Sequence, residues 1–341
     1  MTSAPIRLLV VDDSPLFAEA IADIATADGD IEVVGTAVDG EQAVWMAQNL
    51  APDIITMDVH MPRISGLDAI ERILAEQAIP ILVLTGDPRT GALTFEALRR
   101  GALDLLPKPI LIPQDLHAEA ALRERLRLLA KARVNLADSA PAPPPDIQPS
   151  NSEQLLAVGV VASTGGPAAL ATLLGRLPAT YPAPILIVQH LPTGFVAGFA
   201  AWLGQATALE VRVAEAGPLL SGIVYVAPPD HHLILGSPQE LELHRGPAVD
   251  GHRPSGTALF RSLARHLGPR AAGMVLTGMG TDGAAGLLDL KRAGGATWCQ
   301  APISCAVDTM ARAALAVGAT HHSAPPENLA DALLDRAFRH S

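Results

Sequence analysis

Three polar residues beyond position 160 each follow an apolar run and precede a turn: Ser163 in VVASTGGP, His190 in ILIVQHLPTGF and Asp282 in VLTGMGTDGAAG. A serine hydroxyl is a weak nucleophile until an imidazole takes its proton and a carboxylate fixes the imidazole tautomer. The glycine-rich turns TGGP and GMGTDG add backbone N–H groups at helix starts, where an oxyanion can be held. Together these are the parts of an acyl-transfer triad. Each also has a plainer use. Ser163-Thr164 before Gly165-Gly166 can cap a helix or bind a phosphate, His190 can close a strand inside a core, and Asp282 can N-cap the following helix. The residue two before Ser163 is Val161 rather than glycine, and the order Ser–His–Asp departs from the familiar serine-hydrolase orders.

A second constellation lies nearer the N-terminus. Asp12-Asp13 follow RLLVV, Asp58 follows DIITM, Thr85 follows PILVL and Lys108 follows ALDLLP. Carboxylates converging at strand ends repel one another unless a cation is bound, and a hard divalent ion with oxygen ligands, such as Mg²⁺, suits them. A phosphorylatable carboxylate in that group needs a hydroxyl and an ammonium for the phosphoryl oxygens, which Thr85 and Lys108 supply. Only three of the 24 basic residues are lysines (Lys108, Lys131 and Lys291), which adds weight to Lys108. Taken singly, each position can be a solvated loop residue; taken in order, they point to one site.

The elements that must position these groups alternate. Strand-like runs at 7–11, 31–36, 53–57, 79–84 and 103–106 are separated by helix-patterned stretches at 16–27, 41–50, 66–76 and 90–100. A repeating βα unit implies a parallel sheet with helices on both faces, with function at the carboxyl ends of the strands. The second half repeats the rhythm: strands at 155–162, 185–188 and 272–277, and helices at 167–177, 195–207 and 284–293. GIVYVAPPDHHLILG, alternating around Pro228-Pro229-Asp230, predicts a hairpin and hence an antiparallel element beside the parallel sheet. The expected fold class is α/β: two doubly wound parallel-sheet domains, the second Rossmann-like with an antiparallel hairpin. Five of the nine residues from Pro141 to Pro149 are proline, so a Pro-rich linker is placed at 133–152, between domains at 1–132 and 153–341.

Composition excludes several classes. The 341 residues carry a formal charge of −11, of which residues 1–135 hold −8, so a broad nucleic-acid contact is not expected. Two cysteines, Cys299 and Cys305, are too few for a disulfide scaffold or a zinc cage and read as buried apolar residues. There is no signal-peptide layout and no apolar stretch near 18 residues, so a cytoplasmic protein without membrane insertion is expected.

VVDDS, MDVHMPRISGLDA, LTGD and LPKP resemble the receiver domain of two-component response regulators, over residues 5 to about 130. The resemblance implies a flavodoxin-like fold with Asp58 as phosphoacceptor. It also implies Mg²⁺ held by Asp13, Asp58 and the His60 carbonyl, with Asp12 in the outer shell, and Thr85 and Lys108 as switch residues. Receivers usually carry Phe or Tyr three residues before that lysine; here Leu105 stands there, so the implied aromatic rotamer switch lacks its ring.

VASTGGP, QHLPTGF, VAPPDHHL, HRPSG and LTGMGTDGAAG occur in the order seen in CheB-type chemotaxis protein-glutamate methylesterases, from about residue 155 to 320. This resemblance implies Ser163 as nucleophile, His190 as general base and acid, and Asp282 as the group that orients it. The Met279 N–H and one near Thr164 are the implied oxyanion donors. The implied activity is hydrolysis of glutamate methyl esters on methyl-accepting chemoreceptors, with glutamine deamidation alongside and no cofactor for the esterase. A chemotaxis histidine kinase would be the phosphodonor, and the unphosphorylated receiver would cover the cleft. GTALF after HRPS, and Ala311 where the family usually has proline, depart from the pattern and bear on receptor choice. The alternative of a different class is a phospho-receiver docking protein whose esterase fold only binds.

Other residues are weighed against the same background. His231 and His232 are adjacent, so a regular strand points them to opposite faces and a zinc site with His244 and His252 is disfavoured. His252 and Arg253 can line a groove for acidic receptor groups or serve only the loop. Phe195, Phe199 and Trp202 recur at helical spacing and read as core. The arginines of 116–131 read as a solvated face.

Overall fold

The computed structural model describes residues 4–86, 91–109, 115–132 and 154–338, and the chain divides into two compact units, Met1–Ser139 and Ala140–Ser341. The Pro-rich stretch expected as a linker, 133–152, lies outside the described residues.

The first unit runs β1 (Ile6–Val11), α1 (Pro15–Thr26), β2 (Ile31–Ala37), α2 (Gly40–Leu50), β3 (Ile54–Asp58), α3 (Gly66–Glu76), β4 (Ile81–Thr85), α4 (Gly91–Arg99), β5 (Asp104–Pro107) and α5 (Leu116–Leu129). All its strand pairs are parallel, in the order β2-β1-β3-β4-β5. β3 and β4 are buried at every residue, as apolar strands covered by helices on both faces must be. The strand order reverses between β1 and β3, and a doubly wound sheet opens its crevice at such a switch point. The α5 arginines are not simply solvated, as the sequence reading had them. Arg127 binds Asp30 and Asp28 at 2.6 Å each, Arg123 reaches Asp28 at 3.1 Å, and Arg125 pairs with Asp104. These pairs tie α5 to the turn before β2 and to β5, contacts that helical periodicity alone does not reveal.

The second unit runs β6 (Ala157–Ala162), α6 (Gly166–Gly175), β7 (Ile185–Gln189), α7 (Val196–Ala206), β8 (Glu210–Val213), β9 (Gly217–Pro218), β10 (Ile223–Val226), β11 (His232–Ser237), β12 (Glu240–His244), α8 (Gly256–His266), β13 (Ala271–Val275), α9 (Ala284–Arg292), β14 (Ala296–Gln300), α10 (Thr309–Ala316), β15 (His322–Ala324) and α11 (Pro326–Phe338). Seven strands form a parallel sheet, β15-β14-β13-β6-β7-β10-β8, and three form a small antiparallel one, β11-β12-β9. The chain winds from β6 to one side, returns to β13 on the other, and so has its switch point between β6 and β13.

The antiparallel element exists, but the expected hairpin is displaced. β10, the first half of GIVYVAPPDHHLILG, is buried throughout and belongs to the parallel sheet; β11 pairs with β12 beyond it. Pro228-Pro229 provides no backbone N–H for a tight turn, whereas Pro238-Gln239, between β11 and β12, connects strands that do pair. Phe195, Phe199 and Trp202 are buried, as their spacing predicts.

Candidate functional site

In the first unit, Asp12 and Asp13 follow β1, Asp58 and Thr85 end β3 and β4, and Lys108 follows β5. Parallel register brings these ends to one crevice: carboxylate oxygens of Asp12, Asp13 and Asp58 lie within 4.8 Å of one another. Lys108 Nζ bridges Asp12 Oδ2 and Asp58 Oδ2 at 2.7 Å each and sits 4.8 Å from the Phe17 ring centroid. Burial works against both charges of the Asp12–Lys108 pair. For Asp12 burial prevails and its pKa rises; for Lys108 the two carboxylates outweigh burial and keep the ammonium protonated. The His60 N–H donates to Asp58 Oδ1 at 3.0 Å, and the Ser14 N–H to Asp12 Oδ1 at 3.0 Å. Thr85 is fully buried and its Oγ1 finds no hydrogen-bond partner among the described residues, so it remains available as a donor. Three carboxylates facing one ammonium form the hard-oxygen donor set that Mg²⁺ takes, and the residues fit it. Leu105 is buried in β5 opposite Val83 of β4.

In the second unit the register does the same work. Ala162 pairs with Gln189 across β6 and β7, and the His190 N–H donates to the Ala162 carbonyl at 3.0 Å. Ser163 and His190 are therefore the next residues out at the ends of neighbouring parallel strands. On the other side, the Ser163 N–H donates to the Thr277 carbonyl at 3.1 Å, just beyond β13. Gly278 follows, and a Cβ there would lie 2.7 Å from Ser163 Cβ and 2.2 Å from Met310 Sδ. Only glycine lets this turn approach Ser163. No hydrogen bond among the described residues takes up the Met279 N–H.

His190 Nε2 lies 2.9 Å from Asp282 Oδ2. Asp282 is ionised in this arrangement, so Nε2 carries the proton and Nδ1 is the basic nitrogen; Nδ1 is buried and makes no hydrogen bond among the described residues. Asp282 is itself 1% exposed. Burial opposes its charge, but the His190 contact and the Gly256 and Thr257 N–H groups overcome that and hold its carboxyl well below the usual range; three donors from the start of α8 reach it. Those donors are Ser255 Oγ at 2.7 Å, the Gly256 N–H at 2.7 Å and the Thr257 N–H at 3.0 Å. A helix N-terminus favours a negative charge in just this position.

Two of the plainer uses, the helix caps, are not realised. No side chain caps α6, whose N-cap is Gly165, and Asp282 does not cap α9, whose N-cap is Gly283. Asp282 does meet a helix N-terminus, but that of α8. Ser255, Gly256 and Thr257 were missed as its partners; the available signal was Ser255 of PSG as an N-cap residue before a helix. Gln189 was also missed: its buried Nε2 donates to the Ser163 carbonyl at 2.8 Å and fixes the turn that carries the hydroxyl.

The remaining histidines form no metal-ligand group: among the described residues only Asp12, Asp13 and Asp58 do. His231 Nε2 meets Arg245 at 2.7 Å, and His232 Nε2 meets the Pro247 carbonyl at 2.9 Å. Arg253 donates to the Gly246 carbonyl at 3.1 Å. Cys299 and Cys305 are buried, which pushes their thiols up to about 11 and about 12. No helix among the described residues is long and apolar enough to cross a membrane.

Fold and site define a receiver-like α/β unit joined to a second α/β unit with a serine, a histidine and a buried aspartate at its switch point. Comparison with known proteins places both units in families. Residues 158–333 match the CheB methylesterase family and residues 8–121 the response regulator receiver domain. The chain is 46% identical over 96% of both sequences to protein-glutamate methylesterase/protein-glutamine glutaminase 2 of Anaeromyxobacter dehalogenans. It is 42% identical to the corresponding protein 4 of Myxococcus xanthus, over 100% of this chain and 99% of that one. The crystal structure of the Thermotoga maritima CheB methylesterase catalytic domain covers 54% of this chain and 99% of its own, with a TM-score of 0.52 and 30% identity. The chain belongs to the CheB methylesterase family and carries a response regulator receiver domain.

Proposed function

We propose that this chain is a phosphorylation-controlled protein-glutamate methylesterase that also deamidates glutamine side chains, acting on methyl-accepting chemoreceptors in the cytoplasm. The observation that carries the reading is the His190–Asp282 pair, which leaves Nδ1 as an unbonded base on the strand next to Ser163. His190 Nδ1 takes the Ser163 proton as Oγ attacks the glutamyl carbonyl carbon. The tetrahedral oxyanion meets the Met279 N–H and one near Thr164. The bond from carbonyl carbon to methoxy oxygen then breaks, His190 returns the proton, and methanol leaves. Water, deprotonated at Nδ1, cleaves the acyl-enzyme and restores Ser163. Asp282 stays anionic throughout and offsets the imidazolium. With glutamine the same steps release ammonia.

In the receiver, Asp58 accepts a phosphoryl group from a chemotaxis histidine kinase, while Thr85 and Lys108 hold the phosphoryl oxygens. Asp12, Asp13, Asp58 and the His60 carbonyl would hold Mg²⁺, which supplies positive charge against those oxygens. The esterase step itself draws on no cofactor. Phosphorylation biases the chain toward its active state, a two-state control that asks only for differential stability.

The test is methanol release from methylated chemoreceptor membranes by the full-length chain, with and without Mg²⁺ and acetyl phosphate. Release should rise on addition of the donor. Release indifferent to the donor would contradict receiver control and point to Leu105 as the broken relay. No release from folded protein would contradict the esterase reading.

A further inference from the structure

His190 has a second neighbour besides Asp282. The His252 ring lies face to face on the His190 ring, with centroids 3.9 Å apart and planes 3° from parallel. His252 reaches that place on a short, rigid segment. Val249 and His252 exchange both backbone hydrogen bonds, each 3.0 Å, across Asp250-Gly251. Those two residues have φ of +53° and +80°, the pair of positive values that a type I′ turn demands. Asp250 Oδ2 accepts from Thr257 Oγ1 at 2.7 Å, which anchors the turn to the start of α8. That helix start is the one that holds Asp282. One stretch, 249–257, thus carries the partner of the His190 ring face and the partners of the carboxylate on its ring edge.

The two contacts constrain different things. A hydrogen bond from Nε2 to Asp282 selects the tautomer and which edge faces the carboxylate, but the ring can still rock about that bond. A flat partner on its face fixes the plane, and with it the direction in which the Nδ1 lone pair points. General-base transfer depends steeply on that direction. The charge balance also suits the task. The titratable groups facing His252 are His190, Asp282 and Asp250; burial first, and then His190, lower its pKa against the pull of the two carboxylates, which favours its neutral form. A neutral π face opposes a neighbouring imidazolium far less than a second cation would.

We propose that His252 is a positioning residue for the general base: its ring, stacked on His190, fixes the plane in which Nδ1 meets the Ser163 hydroxyl. This rests on the assignment of Ser163, His190 and Asp282 above.

The test compares wild-type full-length chain with His252→Ala, His252→Phe and Ser163→Ala in methanol release from methylated receptor membranes. His252→Ala should lower kcat roughly tenfold, the scale of a lost ring–ring contact, with KM held within about twofold. His252→Phe, which restores a flat neutral face, should recover most of that loss. ¹⁵N and ¹H spectra of the His190 ring should keep the Nε2–H tautomer in wild type and His252→Phe and show broadened or mixed signals in His252→Ala. Unchanged kcat in His252→Ala, a loss confined to KM, or no recovery by His252→Phe with the His190 signals unaltered would overturn the proposal. Activity surviving in Ser163→Ala would instead remove the triad reading on which it stands, whatever the His252 variants do.

Discussion

Replacing Ser163 with alanine is expected to lower methanol release by at least about a thousandfold, with the unfolding midpoint nearly unchanged. The activity loss follows because no other hydroxyl replaces Oγ as the acyl acceptor. The fold is spared because the Ser163 backbone makes the local contacts: its N–H to Thr277, its carbonyl to Gln189 Nε2 and to the Gly166 N–H. Steady-state methanol release and a thermal melt on the same sample check both halves. A variant that kept most of its activity would remove Ser163 from the chemistry.

The second large effect is at Asp282. Asp282→Asn should cost on the order of 10⁴-fold in kcat, because an amide NH₂ turned to Nε2 favours the tautomer with its proton on Nδ1, the atom that must act as base. It should also destabilise the unit by about 1–3 kcal/mol, since one amide oxygen cannot serve the four donors that Asp282 accepts from. The pH dependence follows in sign. The folded-state pKa of Asp282 lies below its unfolded value, which is near 3.9. Its contribution is therefore fully present above the unfolded pKa and lost as pH falls toward the folded one. Denaturant midpoints between about pH 5 and pH 3 should fall more steeply in wild type than in Asp282→Asn. A Trp45→Phe background removes the exposed receiver tryptophan, so that Trp202 and Trp298 report on the unit containing Asp282.

Much of this arrangement is legible in the sequence. Apolar runs ending in Asp, Ser, His and Thr located both crevices, because a parallel sheet collects its strand ends. The strands themselves shifted by only a residue or two: the expected 53–57 became Ile54–Asp58, taking Asp58 into the strand. The hairpin was misplaced because IVYV alternates poorly when buried on both faces, and a run bounded by prolines resembles a turn in either direction. The hold of α8 on Asp282 was legible only as far as Ser255, a helix-capping residue type; its partner was not. Ser255 and Asp282 are 27 residues apart, and their meeting depends on how α8 packs beside α9, which periodicity leaves open. The same is true of His252, whose Asp-Gly turn was a readable signal for a two-residue hairpin but said nothing of the ring it would face. The α5 arginines show the converse: their helix was evident, their partners on the turn before β2 were not.

The central claim is that Ser163 is a nucleophile activated by His190. The most direct measurement is covalent labelling of the full-length chain with a fluorophosphonate, followed by peptide mass mapping in wild type and in His190→Ala. The account predicts one adduct, on the peptide containing Ser163, and its loss in His190→Ala. Labelling at a different residue, labelling that survives His190→Ala undiminished, or an unlabelled wild type that is folded would contradict it.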